Sequence, residues 1–505
     1  MTEPETTPQN GTATETKRLS TNTKIKEVGR HSIIYGLGSV AQSVIGLVLL
    51  PILTDSLSKE DFGAYSLVMT ATSVAGAIFY LGMNSALSRF YFDYDADHER
   101  KGIFVTALII TCCGALLQIA FGFYYGDVLS ILLVGSDEYR NIIAWAFFGG
   151  AMTFVNQCLF SYLRLIRKSV SAVVASLLNM IFGIGLTLLL LKMASNALEA
   201  PFQAMVLTQT IVLLFFIFFY GKDFFVPHFS SHEVSRMTYF GISSIIASFG
   251  VMLLDFPDRL IIERFMTIAD VGTYSAAFRV GTLINVLMIL PFSQIWSPMM
   301  MEYRLKDDVK DLFTRVLSYF LILGGIIMVI SSLFAADFLP LLIRSGVDAN
   351  VVNVFLLTML GTLLFGTVNI LSAGLLYERK IIVMSYVYYM IAGIKIGVNL
   401  LFVPAFGITG AAMSTLLAYI IVPAWIYLLA RRYFSFDVQW RRLAILMMNC
   451  AIPLFYGLYL SNVYDISFSI RLFCLLVVLR FMYRTCLTQA ERQEIIHLLR
   501  MKLFT

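Results

Sequence analysis

Charged and polar side chains stand inside long apolar stretches of this 505-residue sequence, where an unpaired charge is costly. One face at helical spacing holds only small or polar residues: Ser385, Tyr388, Ala392, Lys395 and Asn399. An ammonium in such a setting can bind an anionic group. We interpret the stripe as the lining of a polar lumen, with Lys395 and Asn399 as ligand-binding residues. A lysine that is paired with a neighbouring helix is the alternative.

Three arginines are further candidates for binding an anion. Arg279 lies well inside another apolar stretch, and its planar guanidinium could donate two hydrogen bonds at once to a phosphate. Arg259 and Arg89 lie near the ends of two other stretches. The alternatives are that Arg279 reaches out to the surface, and that Arg89 and the aromatic residues after it anchor the end of a helix.

Acidic side chains near Arg259 suggest a different chemistry. Asp255, Asp258 and Glu263 fall with Arg259 on one side of a helix. A carboxylate in apolar surroundings can take up a proton or a cation and so bias two conformations. We therefore predict ion coupling through these three residues, with H+ or Na+ as the ion. A structural ion pair between Arg259 and Glu263, four residues apart, is the alternative.

Membrane helices must position these residues. The chain is 58% hydrophobic and 14% charged, with a mean hydropathy of +0.79. Apolar runs that could each cross a hydrocarbon core of roughly 30 Å recur about fourteen times. The predicted spans are 31–57, 62–87, 102–125, 139–163, 168–193, 197–220, 237–265, 270–297, 311–335, 350–376, 380–403, 407–430, 441–460 and 466–484. The sequence thus predicts an all-α polytopic membrane protein.

The distribution of basic residues predicts the orientation. Most lysines and arginines fall in alternate loops, which places both termini in the cytoplasm. The net charge of +5 is not gathered into a basic stretch, so we exclude nucleic acid as a partner. The six cysteines form no CxxC or Cys/His cluster, and we expect no metal site or cofactor beyond a coupling ion.

A repeat divides the chain into two lobes. When Asp61 is laid on Asp270, Gly63 falls on Gly272 and Tyr65 on Tyr274, without a gap. The two copies enter the membrane in the same direction, as in a parallel repeat. The predicted units are a disordered cytoplasmic tail at 1–27, an N-lobe of six helices at 28–220, a linker at 221–236, a C-lobe of six helices at 237–430, and two further helices with the C-terminus at 431–505.

Three stretches carry a resemblance to a known family. They are "LPILTDSLSKEDFGAYSLV", "DRLIIERFMTIADVGTYSAAFRV" and "NLLFVPAFGITGAAMST". The chain resembles the bacterial polysaccharide transporters, which are the O-antigen and exopolysaccharide flippases of the multidrug/oligosaccharidyl-lipid/polysaccharide exporter superfamily. The resemblance implies that an undecaprenyl-diphosphate-linked oligosaccharide moves from the inner to the outer leaflet of the bacterial cytoplasmic membrane by alternating access.

The resemblance also implies roles and partners. Lys395, Arg279, Arg259, Asn399 and Arg89 would bind the lipid-linked oligosaccharide in a hydrated cationic cavity while its tail stays among membrane lipids. A polysaccharide polymerase and glycosyltransferases are candidate partners, and we expect a monomer. The product would serve O-antigen, exopolysaccharide or capsule synthesis.

Other functions are open at this point. A cation-coupled multidrug antiporter and a lipid II flippase belong to the same superfamily, and the antiporter should favour acidic and aromatic cavity residues over Lys395 and Arg279. A membrane enzyme is disfavoured because the sequence has no nucleophile elbow, no phosphate-binding glycine loop and no metal-ligand cluster. We therefore predict no enzyme activity.

Overall fold

The fold is a bundle of long α-helices. A computed structural model describes residues 45–193, 196–225, 231–306, 308–460, 467–486, 489 and 491–493. The helices are α1 Ile45–Ser56, α2 Lys59–Phe79, α3 Asp97–Tyr124, α4 Arg140–Leu165, α5 Ser169–Met193, α6 Ala200–Tyr220, α7 Ser231–Phe265, α8 Ile268–Gly281, α9 Val309–Leu342, α10 Ala349–Gly366, α11 and α12 as the two parts of Ile381–Ala430, α13 Trp440–Phe455 and α14 Phe468–Thr485. Shorter helices follow α2, α8 and α10, at Met83–Phe90, Leu290–Glu302 and Ala373–Tyr377.

The helices match the predicted spans one for one. Eleven spans are long and apolar enough to cross a membrane, when α2, α8 and α10 are counted together with the short helices that follow them. One of these, Ile381–Ala430, is two spans joined at Gly407, whose φ of 60° breaks the helix into α11 and α12. The two remaining segments are α1, of which the structure describes only the second half, and α14. The prediction of an all-α polytopic membrane protein is confirmed, and within the described residues the chain has no β-strand.

Helix α14 carries three arginines among its 18 residues, and this charge distinguishes it from the eleven apolar spans. The most deeply placed, Arg471, is buried and donates to both carboxylate oxygens of Asp337 in α9, at 2.5 and 3.1 Å. This two-point contact offsets the charge of a guanidinium that would otherwise face apolar surroundings. It also fixes α14 against α9.

The two copies of the repeat cross each other at a pair of glycines. A Cβ on Gly63 of α2 would lie 2.0 Å from the main-chain oxygen of Ile268, and a Cβ on Gly272 of α8 would lie 2.1 Å from that of Lys59. The register that lays Gly63 on Gly272 also lays Lys59 on Ile268. The two contacts are therefore equivalent: each glycine faces the residue that stands four positions before the other glycine. Such reciprocity is what a two-fold relation between the repeats requires.

The same repeat explains how α2 and α8 begin. The hydroxyl of Ser58 accepts a hydrogen bond from the Asp61 amide at 3.0 Å, and that of Thr267 accepts one from the Asp270 amide at 3.2 Å. These are N-caps, and at Thr267 the Asp270 carboxylate bonds back to complete a capping box. The repeated hydroxyl, aspartate and glycine therefore start each helix and let the two helices touch.

The domain boundaries stay predictions. The tail at 1–27 and the first part of the first span lie outside the described residues, as do residues 226–230 of the linker.

Candidate functional site

A cavity of about 400 Å³ opens among α1, α2, α4, α5 and α6 and extends to α8. The amides and hydroxyls of its lining belong to Tyr65, Thr153, Asn156, Gln157, Asn179, Thr187, Thr208 and Gln209. One cationic residue, Arg279 of α8, completes the lining, and no carboxylate is among the described residues that form it. We call this region the amide cavity. It joins the first copy of the repeat to a helix of the second.

The amides of the cavity are linked to one another. The Nδ2 of Asn156 donates to the side-chain Oε1 of Gln209 at 2.8 Å and to its main-chain oxygen at 2.9 Å. The Nε2 of Gln209 donates in turn to Asn179 at 3.4 Å. These bonds hold three helices, α4, α5 and α6, in a fixed relation around the polar wall.

Two buried oxygens of this wall have no partner. The Oδ1 of Asn156 and the Oγ1 of Thr208 find no hydrogen-bond partner among the described residues, although each residue is only 2% exposed. Buried polar atoms in proteins are nearly always hydrogen-bonded, because an unpaired one costs about 1–3 kcal/mol. Both residues line the cavity, but the two oxygens themselves are buried in its wall, so a polar ligand can bond to them only after a local rearrangement.

Arg279 reaches the cavity along α1. A Cβ on Gly46 would lie 3.8 Å from its Nη2, so the guanidinium runs directly against that glycine. Arg279 is half-buried, and no carboxylate of the described chain lies within ion-pair distance of it. The guanidinium therefore keeps its capacity to donate to an anion.

A second polar group of residues lies elsewhere, around the fully buried carboxylate of Asp258 in α7. Lys395 of α11 donates to its Oδ2 at 2.8 Å, and Asn399 of α11 donates to its Oδ1 at 2.7 Å. The hydroxyls of Tyr274 in α8 and Thr415 in α12 donate to Oδ2 at 2.8 and 3.0 Å. We call these five residues the Asp258 cluster; none of them is more than 2% exposed.

Further bonds close the surroundings of this cluster. Lys395 also donates to the main-chain oxygen of Leu254, and Tyr419 donates to Asp255 at 2.6 Å. Arg259 donates to the hydroxyl of Ser275 at 3.2 Å and to the main-chain oxygen of Asp255 at 3.3 Å. The ionic and polar groups around Asp258 are thus bonded to one another across four helices.

The structure separates the predicted site residues into three places. Arg279 lines the amide cavity, whereas Lys395, Asn399 and Asp258 form the core of the Asp258 cluster, with Asp255 and Arg259 beside it. The paired state that we gave as the alternative for Lys395 is therefore the one that its contacts describe.

The other two predicted residues lie apart. Arg89 is more than half exposed and pairs with Asp93 at 2.8 Å. Glu263 is half-buried, and the ion pair with Arg259 that we gave as the alternative is not formed among the described residues, where Arg259 donates to Ser275. The functional roles assigned to all these residues stay predictions.

Sequence reasoning missed the amides of the cavity. Asn156, Gln157, Asn179 and Gln209 stand in runs that are otherwise apolar, and that placement was a usable signal. We selected ionised side chains as candidates and passed over these amides, because an uncharged amide within a membrane helix can equally serve helix packing.

Comparison with known proteins identifies the family. Residues 28–304 match the family model described as "Polysaccharide biosynthesis protein". The chain belongs to this family. A Haemophilus influenzae protein of the Lsg locus is 22% identical over 267 residues, which are 52% of this chain and 63% of that protein. The match thus spans less than two thirds of that relative.

Solved structures share the fold of this family member. The lipid II flippase MurJ in an inward closed conformation has 15% sequence identity and a TM-score of 0.68, over 90% of this chain and 99% of the flippase. A multidrug resistance MATE transporter of the MOP superfamily, facing inward, has 15% identity and a TM-score of 0.60, over 78% and 93%. The chain is a multi-pass membrane protein with a fold that transporters use.

Proposed function

We propose that this protein is a flippase that moves an undecaprenyl-diphosphate-linked oligosaccharide from the inner to the outer leaflet of the cytoplasmic membrane, for the synthesis of a surface polysaccharide. The observation that carries the proposal is the amide cavity, a recess with an amide-bearing wall and one arginine inside a membrane protein of the polysaccharide biosynthesis family. The proposal includes both termini in the cytoplasm and a monomer as the working unit. Glycosyltransferases would supply the substrate and a polysaccharide polymerase would consume it.

The chemistry of the lining fits a glycan. Sugar hydroxyls both donate and accept hydrogen bonds, and the amides of Asn156, Asn179 and Gln209 can do the same. Once the wall opens to them, the unpaired amide oxygen of Asn156 can accept from a sugar hydroxyl, and the unpaired hydroxyl of Thr208 can donate to one or accept from one. The volume of about 400 Å³ lies within the range of about 300–1,000 Å³ that is usual for small-ligand pockets. Part of a glycan can therefore sit in the cavity.

Arg279 suits the diphosphate of such a substrate. A guanidinium without a carboxylate partner can bind phosphate oxygens at two points, and its charge is offset only when the anion is present. The hydrocarbon tail would remain in the bilayer. Separation of the two repeats would then expose the head group first to one side and then to the other.

A multidrug antiporter is the weaker candidate. Organic cations favour sites lined by carboxylates and aromatic faces. The described lining of the amide cavity has no carboxylate, and its one ionised group is an arginine. A lipid II flippase has the same head-group chemistry as our proposal, since its substrate is also a lipid-linked sugar diphosphate, so only an experiment on the substrate separates the two.

The test is mass spectrometry of undecaprenyl-linked intermediates in cells that lack this protein, with an assay of the leaflet that they occupy. We expect complete oligosaccharide units to accumulate on the cytoplasmic leaflet, and the wild-type gene to reverse this. Accumulation of lipid II instead would favour the lipid II flippase. Normal intermediates together with normal surface polysaccharide, in cells with no second flippase, would refute the proposal.

Coupling to an H+ or Na+ gradient through Asp255, Asp258 or Glu263 stays a prediction. The contacts of Asp258 bear on it directly, because this carboxylate already has a cationic partner.

A further inference from the structure

Lys395 occupies a position that has the character of a cation site. Its ammonium contacts a carboxylate oxygen of Asp258 and the main-chain oxygen of Leu254, with 1% of its side chain exposed. Carboxylate and main-chain oxygens, gathered in a dry interior, are the ligands that hard metal cations prefer. Here those oxygens surround a nitrogen that is covalently part of the chain.

The remaining partners of Asp258 leave this carboxylate little capacity for a second cation. Its Oδ1 accepts from Asn399, and its Oδ2 accepts from Tyr274, Thr415 and Lys395. Lys395, Asn399 and Tyr274 are placed to donate to the carboxylate, and the Thr415 hydroxyl is shared between Asp258 and the main-chain oxygen of Ala411, each at 3.0 Å. A metal ion could approach only by displacing at least one of them, and would leave that group unpaired in a buried position.

The local charge is already balanced. Two carboxylates, Asp255 and Asp258, and two cationic side chains, Lys395 and Arg259, lie in this region; Lys395 pairs with Asp258, and Arg259 donates to the main-chain oxygen of Asp255. A metal ion that entered without the departure of Lys395 would leave an uncompensated charge in surroundings of low dielectric constant, which is strongly unfavourable. Loss of the Lys395 ammonium, in contrast, would leave an acidic site without its cation.

We propose that the ammonium of Lys395 is a built-in cation that fills the place of a coupling metal ion, so that Na+ does not bind at the Asp258 cluster. The lysine decides the ion specificity of this site. Its removal exposes the carboxylate and main-chain oxygens to the bulk cation and creates a Na+ site that the natural protein does not use.

The architecture gives this cation a structural role. Asp258, Tyr274, Lys395 and Thr415 come from α7, α8, α11 and α12, and all four meet at one carboxylate. A tethered cation holds these helices together at all Na+ concentrations, whereas a diffusible one would release them. Helix α8 also carries Arg279, five residues beyond Tyr274 and so about 7.5 Å along the helix. The cluster therefore holds the helix that presents the cavity arginine.

The test uses the purified full-length protein and does not depend on the identity of the transported substrate. The thermal unfolding midpoint is measured in NaCl and in choline chloride at equal ionic strength. We compare the wild type, Asp258→Asn, Lys395→Met, and Lys395→Met combined with Asp258→Asn. Lys380→Met, at an exposed lysine, is the matched control.

For the wild type, and likewise for Lys380→Met, we expect the thermal unfolding midpoint in NaCl to equal that in choline chloride. Lys395→Met should have a lower midpoint in choline chloride, with a recovery in NaCl that saturates with concentration. The double variant should lose this recovery. If Lys395→Met does not fold, Lys395→Gln takes its place under the same criteria.

Two outcomes would overturn the inference. One is a saturable Na+ stabilisation of the wild type that Asp258→Asn abolishes, since Na+ would then bind beside the lysine. The other is a folded Lys395 variant with no specific response to Na+. Either result leaves the flippase proposal standing, because no step of this test involves a lipid-linked oligosaccharide.

Discussion

The amide cavity and the Asp258 cluster are both polar regions inside a membrane protein, and they differ in how completely their groups are paired. In the cavity, two buried oxygens have no partner among the described residues and Arg279 has no carboxylate. In the cluster, Asp258 accepts four hydrogen bonds and pairs with Lys395. A polar region that is incomplete has capacity for a ligand, whereas one that is complete serves to hold helices together. Pairing, more than charge, separates the two roles.

The largest effect should come from breaking the complete region. Asp258→Ala leaves Lys395 as a buried charge without a counter-ion, which is expected to reduce the free energy of unfolding by about 3–5 kcal/mol. Thermal unfolding of the purified protein measures this. The double variant Asp258→Leu with Lys395→Met should recover much of the loss, because an apolar pair replaces the ionic one. A single Asp258→Ala variant as stable as the wild type would contradict the pairing described here.

The incomplete region should respond in transport instead of stability. Arg279→Ala removes a charge-assisted bond to the substrate worth about 1.5–3 kcal/mol, which corresponds to roughly a ten- to hundredfold loss of apparent affinity. Its unfolding midpoint should stay close to that of the wild type, since no ion pair of the described chain is lost. The control is Arg264→Ala, at an exposed arginine outside both regions. Equal transport by the two variants, measured at the same expression level, would remove Arg279 from the binding site.

The crossing of α2 and α8 tests the relation between the two copies of the repeat. Gly63→Ala and Gly272→Ala each place a methyl group against a main-chain oxygen, so each should cost about 1–3 kcal/mol in the state where the helices touch. The two contacts are equivalent, so both substitutions should change the distance between α2 and α8 by the same amount. Spin labels placed on the two helices measure this distance. Gly393→Ala is the control, since a Cβ there meets no described atom within 4 Å. A strong effect of one variant alone would show that the crossing is not symmetric.

Two threonines give the finest comparison. Thr208→Val in the cavity removes an unpaired hydroxyl and should raise stability by about 1 kcal/mol while it weakens transport. Thr415→Val in the cluster removes a donor to Asp258 and should lower stability by about 1–2 kcal/mol. Unfolding midpoints of both variants, measured side by side, check the signs. The same sign for both would erase the distinction between the two regions.

The fold followed from the sequence because apolar length and the pattern of basic loops are properties of single segments. The repeated Asp61 and Asp270, each with a glycine two residues later, also marked the helices that cross. The pairing of Asp258 with Lys395 could not be read in this way, since helical spacing shows which residues share a face but not which helix lies opposite. The polar stripe from Ser385 to Asn399 does lie on one face of α11. That this face packs against α7 and its Asp258 carboxylate is seen only in the tertiary structure.

The candidate site was harder to predict from the sequence than the fold, for a second physical reason. Charges stand out in membrane helices, so Arg279 was found, but the binding capacity of the cavity rests on neutral amides and on unpaired oxygens. Asn156 and Thr208 become informative only when their partners are known, and hydrogen-bond partners belong to the tertiary structure.

The most direct measurement is a flipping assay in proteoliposomes that contain the purified protein and a labelled undecaprenyl-diphosphate-linked oligosaccharide. The label that an impermeant reagent can reach is followed over time for the wild type, Arg279→Ala and Arg264→Ala. We predict rapid exchange between leaflets for the wild type and Arg264→Ala, and exchange slower by roughly ten- to hundredfold for Arg279→Ala at substrate levels below saturation. Wild-type vesicles that exchange no faster than protein-free ones, or an Arg279→Ala variant as fast as the wild type, would contradict the account.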